Sequence, residues 1–65
     1  MTHKEDAIKK GTELVLKHIE RGLDAEDAMI ASIVTAETVI TALHHTTKQY
    51  SLYRRTVEYL KTRLN

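Results

Sequence analysis

The sequence predicts an all-α fold: an antiparallel helical hairpin and a C-terminal helix in one domain, residues 1–65. Three observations carry this. There is no proline, and the only glycines are Gly11 and Gly22, so the punctuation that strands require is missing. Apolar residues recur at helical spacing along the whole chain. In "ERGLDAED", Gly22 suits the left-handed residue just past a helix end, and Asp24 can cap the next helix.

The first helix opens on Thr2, with Glu5 three residues later as a capping box, and is expected from about residue 3 to 21. Ile8, Val15 and Ile19 form one stripe, with Ala7 and Leu14 alongside. Gly11 lies inside that stripe and costs about 1 kcal/mol relative to Ala. It is either a tolerated defect or the place where a neighbouring helix comes close, and the sequence leaves both open. The second helix starts near residue 25, with Glu26 and Asp27 in a first turn that the helix dipole favours. The short link makes the two antiparallel neighbours.

From Met29 onward a seven-residue repeat emerges. Met29, Ala36, Leu43, Tyr50, Val57 and Leu64 take one position, and Ser32, Val39, Thr46, Tyr53 and Leu60 take the position three later. This is the pattern of a coiled-coil seam, and a single helix from 25 to 64 would be about 60 Å long. The stretch "ALHHTTKQY", residues 42–50, opposes it. His44, His45, Thr46 and Thr47 are weak helix formers, and Thr46 with Gln49 makes a second capping box. A break near 45–47 is therefore favoured, giving a three-helix bundle; a hairpin with a long second helix is the alternative. Ile33 and Ile40 join the seam, while Ile30 and Val34 carry it further round, so the second helix is expected to be central and buried on most sides. The residues expected in the core or a self-association surface are Met29, Ile33, Ala36, Val39, Ile40, Leu43, Tyr50, Tyr53, Val57 and Leu60.

A chain of 65 residues buries only about 60% of its unfolded surface. A core of that size rarely supplies more than ~3–5 kcal/mol. The absence of cysteine excludes a disulfide framework and a thiolate metal site. With no Phe or Trp, bulk is scarce, and a homodimer or higher helical assembly is expected. The N-terminus "MTHKEDAIKK" has no apolar segment of a secretory signal, and no stretch is apolar enough for a membrane span. A cytoplasmic protein without membrane contact is the expectation.

Chemistry has little to stand on. There is no Gly-rich phosphate loop, Ser32 and Ser51 have no evident His and acid partners, and Glu37 reads as an acid on the helix edge. No enzymatic activity and no cofactor are expected. His3 would lie level with His44 and His45, but adjacent histidines on a helix point about 100° apart, so three cannot readily share a metal. They read as exposed helix-end residues.

The stretch "DAMIASIVTAETVITALHH" resembles bacterial helix-turn-helix readers, in which an Ala-containing helix precedes a "TAETV"-like recognition helix. It covers under a third of the chain. It lacks a turn glycine, and its second half holds no Arg, Lys, Asn or Gln to read base edges.

Charge is the better lead. Residues 1–28 balance at −2, residues 29–47 contribute Glu37 alone, and residues 48–65 balance at +4, with Tyr50, Tyr53 and Tyr59 among the bases. Leu52, Arg55 and Tyr59 fall on the side of the third helix opposite its seam, and with Arg54 and Arg63 they are the expected partner-binding residues. Tyr and Arg often carry interfaces. A regulatory or adaptor module that binds another protein is the favoured function. A dimeric nucleic-acid-binding regulator using Lys48, Arg54, Arg55, Lys61 and Arg63 is the alternative, and a purely structural assembly subunit is a third reading. Self-association makes stability concentration-dependent, so the melting temperature should rise across a roughly hundredfold increase in protein concentration. An unchanged value would count against it.

Overall fold

The structure, a computed structural model, describes residues 2–65. It contains three helices, α1 (His3–Glu20), α2 (Ala25–Ala42) and α3 (Lys48–Leu64), each packed against the other two. The Cα radius of gyration is 11.3 Å and the longest extent 34 Å. A compact chain of this length has a radius of roughly 11 Å. The chain thus turns back after α2, and the long-helix alternative is excluded.

Local chemistry sets each boundary. Thr2 Oγ1 accepts from the Glu5 N–H at 3.1 Å and donates to the Glu5 carboxylate at 3.2 Å. At the other end of α1, Gly22 takes φ +103°. Its N–H donates to Ile19 O at 2.9 Å, while Leu23 N–H donates to His18 O at 3.2 Å, closing the carbonyls of the last turn in a Schellman motif. Asp24 then caps α2 by accepting from Asp27 N–H at 2.9 Å. The segment that resembles helix-turn-helix readers is one unbroken helix as far as Ala42, so it holds no turn to separate two helices.

The break spans residues 43–47. Leu43 leaves the helix at φ −101°, ψ 146°. The cap of α3 is Thr47, whose hydroxyl donates to His44 O at 2.9 Å and accepts from Tyr50 N–H at 3.1 Å. This corrects the expected Thr46–Gln49 box by one residue. Thr46 is engaged elsewhere: its N–H donates to His44 Nδ1 at 3.3 Å, and its hydroxyl lies 2.7 Å from the same atom.

Ile33, Ala36, Val57 and Leu60 form the buried apolar cluster, with Leu14, Val15, Ile40, Tyr53 and Tyr59 packed around it. Of the other expected core residues, Met29, Val39, Ile40, Leu43, Tyr50 and Tyr53 are half-buried. Small residues occupy the rest of the interior: Ala7 and Gly11 on α1, and Ala28, Ser32 and Ala36 at four-residue spacing on α2. A Cβ on Gly11 would sit 3.1 Å from Tyr59 Cδ2 and 3.3 Å from Leu60 Cδ2. Close approach is therefore the reason for this glycine.

That approach turns α1 relative to the expected stripe. Ala7 and Gly11 face inward, Ile8 and Val15 are half-buried on the flank, and Ile19 is 41% exposed. On α2, Ile30 and Val34 are 45% and 57% exposed within one chain, because two neighbouring helices cover two flanks and leave the third open.

Buried hydroxyls are satisfied within their own helices. Ser32 donates to Ala28 O at 2.6 Å and Thr56 to Leu52 O at 2.8 Å. Both residues are fully buried.

Thr47→Ala should cost about 1 kcal/mol, the usual worth of an N-cap, and Thr46→Ala distinctly less. Denaturant midpoints of the two variants test the assignment. Gly11→Leu improves helix propensity by about 1 kcal/mol yet should destabilise, since overpacking costs typically 1–3 kcal/mol and here acts at the closest helix contact. A more stable Gly11→Leu protein would contradict the packing described.

Candidate functional site

Tyr59 and Leu60 of α3 pack against Gly11 of α1, and two depressions of different chemistry flank that contact. Toward the α2–α3 turn lies an open polar cleft of about 640 Å³. Its α1 wall carries His3, Asp6, Lys9, Lys10 and Glu13, and its α3 wall carries Lys48, Leu52 and Arg55. Toward the α1–α2 turn lies an apolar groove of about 180 Å³, lined by Val15, Leu16, Met29, Tyr59 and Leu60, with Gly11 in the floor and Arg63 at the margin. A third depression, about 410 Å³, separates α2 from α3 and includes Glu37, Arg54 and Lys61.

The five expected partner-binding residues of α3 are divided among these places. Leu52 and Arg55 share the polar cleft, Tyr59 and Arg63 share the apolar groove, and Arg54 lines the depression facing α2. Tyr59 does not point into solvent; it is half-buried against Gly11. Its position about 160° from the Val57 seam implies exposure only if α3 has a single neighbour. With two neighbours, the buried arc extends round to Tyr59.

Charge pairing is sparse and superficial. Lys61 Nζ lies 3.7 Å from Glu37 Oε2, with both side chains more than half exposed, so the pair contributes at most about 1 kcal/mol. Lys10 Nζ lies 3.4 Å from Glu13 Oε2 and 5.8 Å from the Tyr53 ring centre. Arg54 stands 6.0 Å over the Tyr50 ring. Arg55 Nε donates to Ser51 Oγ at 3.4 Å. Among the described residues, Lys9, Lys48, Arg55 and Arg63 make no ion pair. Glu37 is exposed on the edge of α2, so nothing buries its carboxylate.

His18, His44 and His45 serve in local structure. His44 and His45 stack with ring centres 4.8 Å apart, and His45 meets Tyr50 edge-on at 6.4 Å. No three His, Cys, Asp or Glu side chains converge to hold a metal among the described residues. His18 makes the one side-chain hydrogen bond between helices among those residues, a feature the sequence did not signal. Its Nδ1 lies 2.8 Å from Leu14 O and 3.3 Å from Ser32 Oγ. Ser32 gives its own proton to Ala28 O, which assigns the Nδ1–H tautomer to His18 with the ring nitrogen as donor to both oxygens.

Among the described residues no helix is long and apolar enough to cross a membrane. The chain matches no protein family, no curated protein and no solved structure.

Tyr59→Ala should therefore destabilise the fold, by about 1–3 kcal/mol, less than the 3–5 kcal/mol typical of a fully buried aromatic. Arg55→Glu, on an exposed side chain, should change stability by no more than about 0.5 kcal/mol. Urea titrations of both variants would check this, and equal effects would put Tyr59 back in solvent.

Proposed function

We propose that the chain is a small non-enzymatic adaptor that self-associates and binds an acidic surface of another protein through the polar cleft between α1 and α3. The observation that carries this reading is the state of the cleft's bases. Lys9, Lys48 and Arg55 line it without an ion pair, and Leu52 supplies an apolar contact beside them. Unpaired bases around an open depression draw in acidic groups and set orientation by complementarity. Asp6 and Glu13 on the same cleft disfavour a continuous phosphate backbone, as does a net charge of only +1. A protein surface with acids in a matching pattern fits the mixed lining better. The nucleic-acid reading therefore ranks second.

The test compares wild type with the Lys48→Glu, Arg55→Glu double variant, using a polyglutamate peptide and a short DNA duplex of arbitrary sequence. The peptide should bind, and the double variant should weaken it at least tenfold with helicity unchanged. Duplex binding should be weaker with a shallow salt slope. Tight duplex binding that falls steeply with salt, by about 0.9 in log K per log salt for each phosphate neutralised, would reverse the ranking.

A further inference from the structure

Among the described residues, four of the five exposed large aliphatic residues, Leu16, Ile19, Ile30 and Leu64, lie in the half of the bundle away from the α2–α3 turn, and the fifth, Val34, lies at the middle of α2. They fall beside two surfaces of opposite form. One is the apolar groove of Val15, Leu16, Met29, Tyr59 and Leu60, with the exposed and unpaired Arg63 at its margin. The other is a ridge on α2. Glu26, Ile30 and Val34 follow one another at four-residue spacing, which aligns them on one face, and Asp27 flanks them seven residues before Val34. Glu26 and Asp27 are exposed and, among the described residues, form no ion pair.

We propose that the occupant of the groove is a second copy of this chain, entering with its Ile30–Val34 ridge so that Glu26 and Asp27 meet Arg63 across the interface. The proposal rests on the self-association in the reading above and names its surface. Charge complementarity selects this occupant: an apolar groove with a basic margin fits an apolar ridge with an acidic flank, and the chain carries both. Their placement allows reciprocity. Met29 in the groove and Ile30 on the ridge are consecutive residues, about 100° apart around α2. The proposed dimer places a two-fold axis between groove and ridge, so that each copy fills the other's groove at once. Such closure leaves no free groove and no ridge, which limits the assembly to a dimer.

Sedimentation equilibrium on the full chain tests this, with helicity of every variant checked by circular dichroism. Wild type should dimerise. Leu16→Glu and Val34→Glu alter exposed positions on different helices, and each should raise the dimer dissociation constant at least tenfold with helicity retained. Arg63→Glu alone and the Glu26→Lys, Asp27→Lys double variant alone should each be weakened, while an equimolar mixture of the two should recover association, because opposite charges then face each other at both contacts. Failure of the mixture to recover overturns the proposal. A dimer indifferent to Leu16→Glu and Val34→Glu overturns it while leaving self-association standing. A wild-type chain monomeric at every concentration overturns both.

Discussion

The approach of α3 onto α1 at Gly11 is the contact on which the remaining structure depends. Tyr59 and Leu60 come so near the α1 backbone that no side chain fits between them without displacement. From that point α3 reaches inward through Leu60 and Val57 to Ile33 and Ala36 on α2. The same economy of side-chain volume recurs on α2, where Ala28, Ser32 and Ala36 are all fully buried. Small residues on one helix let large side chains of its neighbour, here Tyr59 and Leu60, reach the backbone and gain dispersion contacts there. The polar cleft and the apolar groove flank this contact.

The boundaries were legible because caps and helix ends are local chemistry. Thr2, Gly22 and Asp24 act within a few residues of themselves, so sequence neighbours were sufficient to place them. The break after α2 was legible for the same reason, apart from the exchange of Thr46 for Thr47, which turns on the Thr46 side chain being engaged by the His44 ring. Facing was harder to read. A hydrophobic stripe predicts burial of Ile8, Val15 and Ile19, yet the closest contact is made where side chains are smallest, and the interior of α1 centres on Ala7 and Gly11. Ile30 and Val34 were hard to place for a related reason. Their apolar character is a property of the sequence, while their exposure depends on how many neighbours α2 has in one chain. The candidate site was legible in composition, as bases and tyrosines on one helix, but not in arrangement, because the crossing at Gly11 distributes those residues among three depressions.

Hydroxyl groups that bond within their own helix let a largely aliphatic, thin interior take in Ser32 and Thr56. Thr12, Ser32, Thr35, Thr38, Thr41, Thr56 and Thr62 each donate to a carbonyl three or four residues back in the same helix. Bonding of this kind slightly weakens a helix, but it makes each side chain self-sufficient. No buried side-chain nitrogen or oxygen among the described residues is left without a partner. Ser32 and Thr56 can then pack as if they were small apolar residues, without demanding a complementary group from another helix.

This self-sufficiency leaves the three helices attached by different means. α1 and α2 share the His18–Ser32 hydrogen bond and a four-residue link closed by the Gly22 motif. α3 is held by apolar packing, and among the described residues only the solvent-exposed Lys61–Glu37 pair and the Lys10–Tyr53 contact add polar attraction. Undocking α3 removes Val57 and Leu60 from the cluster they form with Ile33 and Ala36, so its opening is coupled to loss of the whole core. Both depressions beside Gly11 exist only while α3 is docked. Any ligand of either one therefore protects α3 from exchange, and the rate at which α3 opens sets an upper limit on how long such a complex endures.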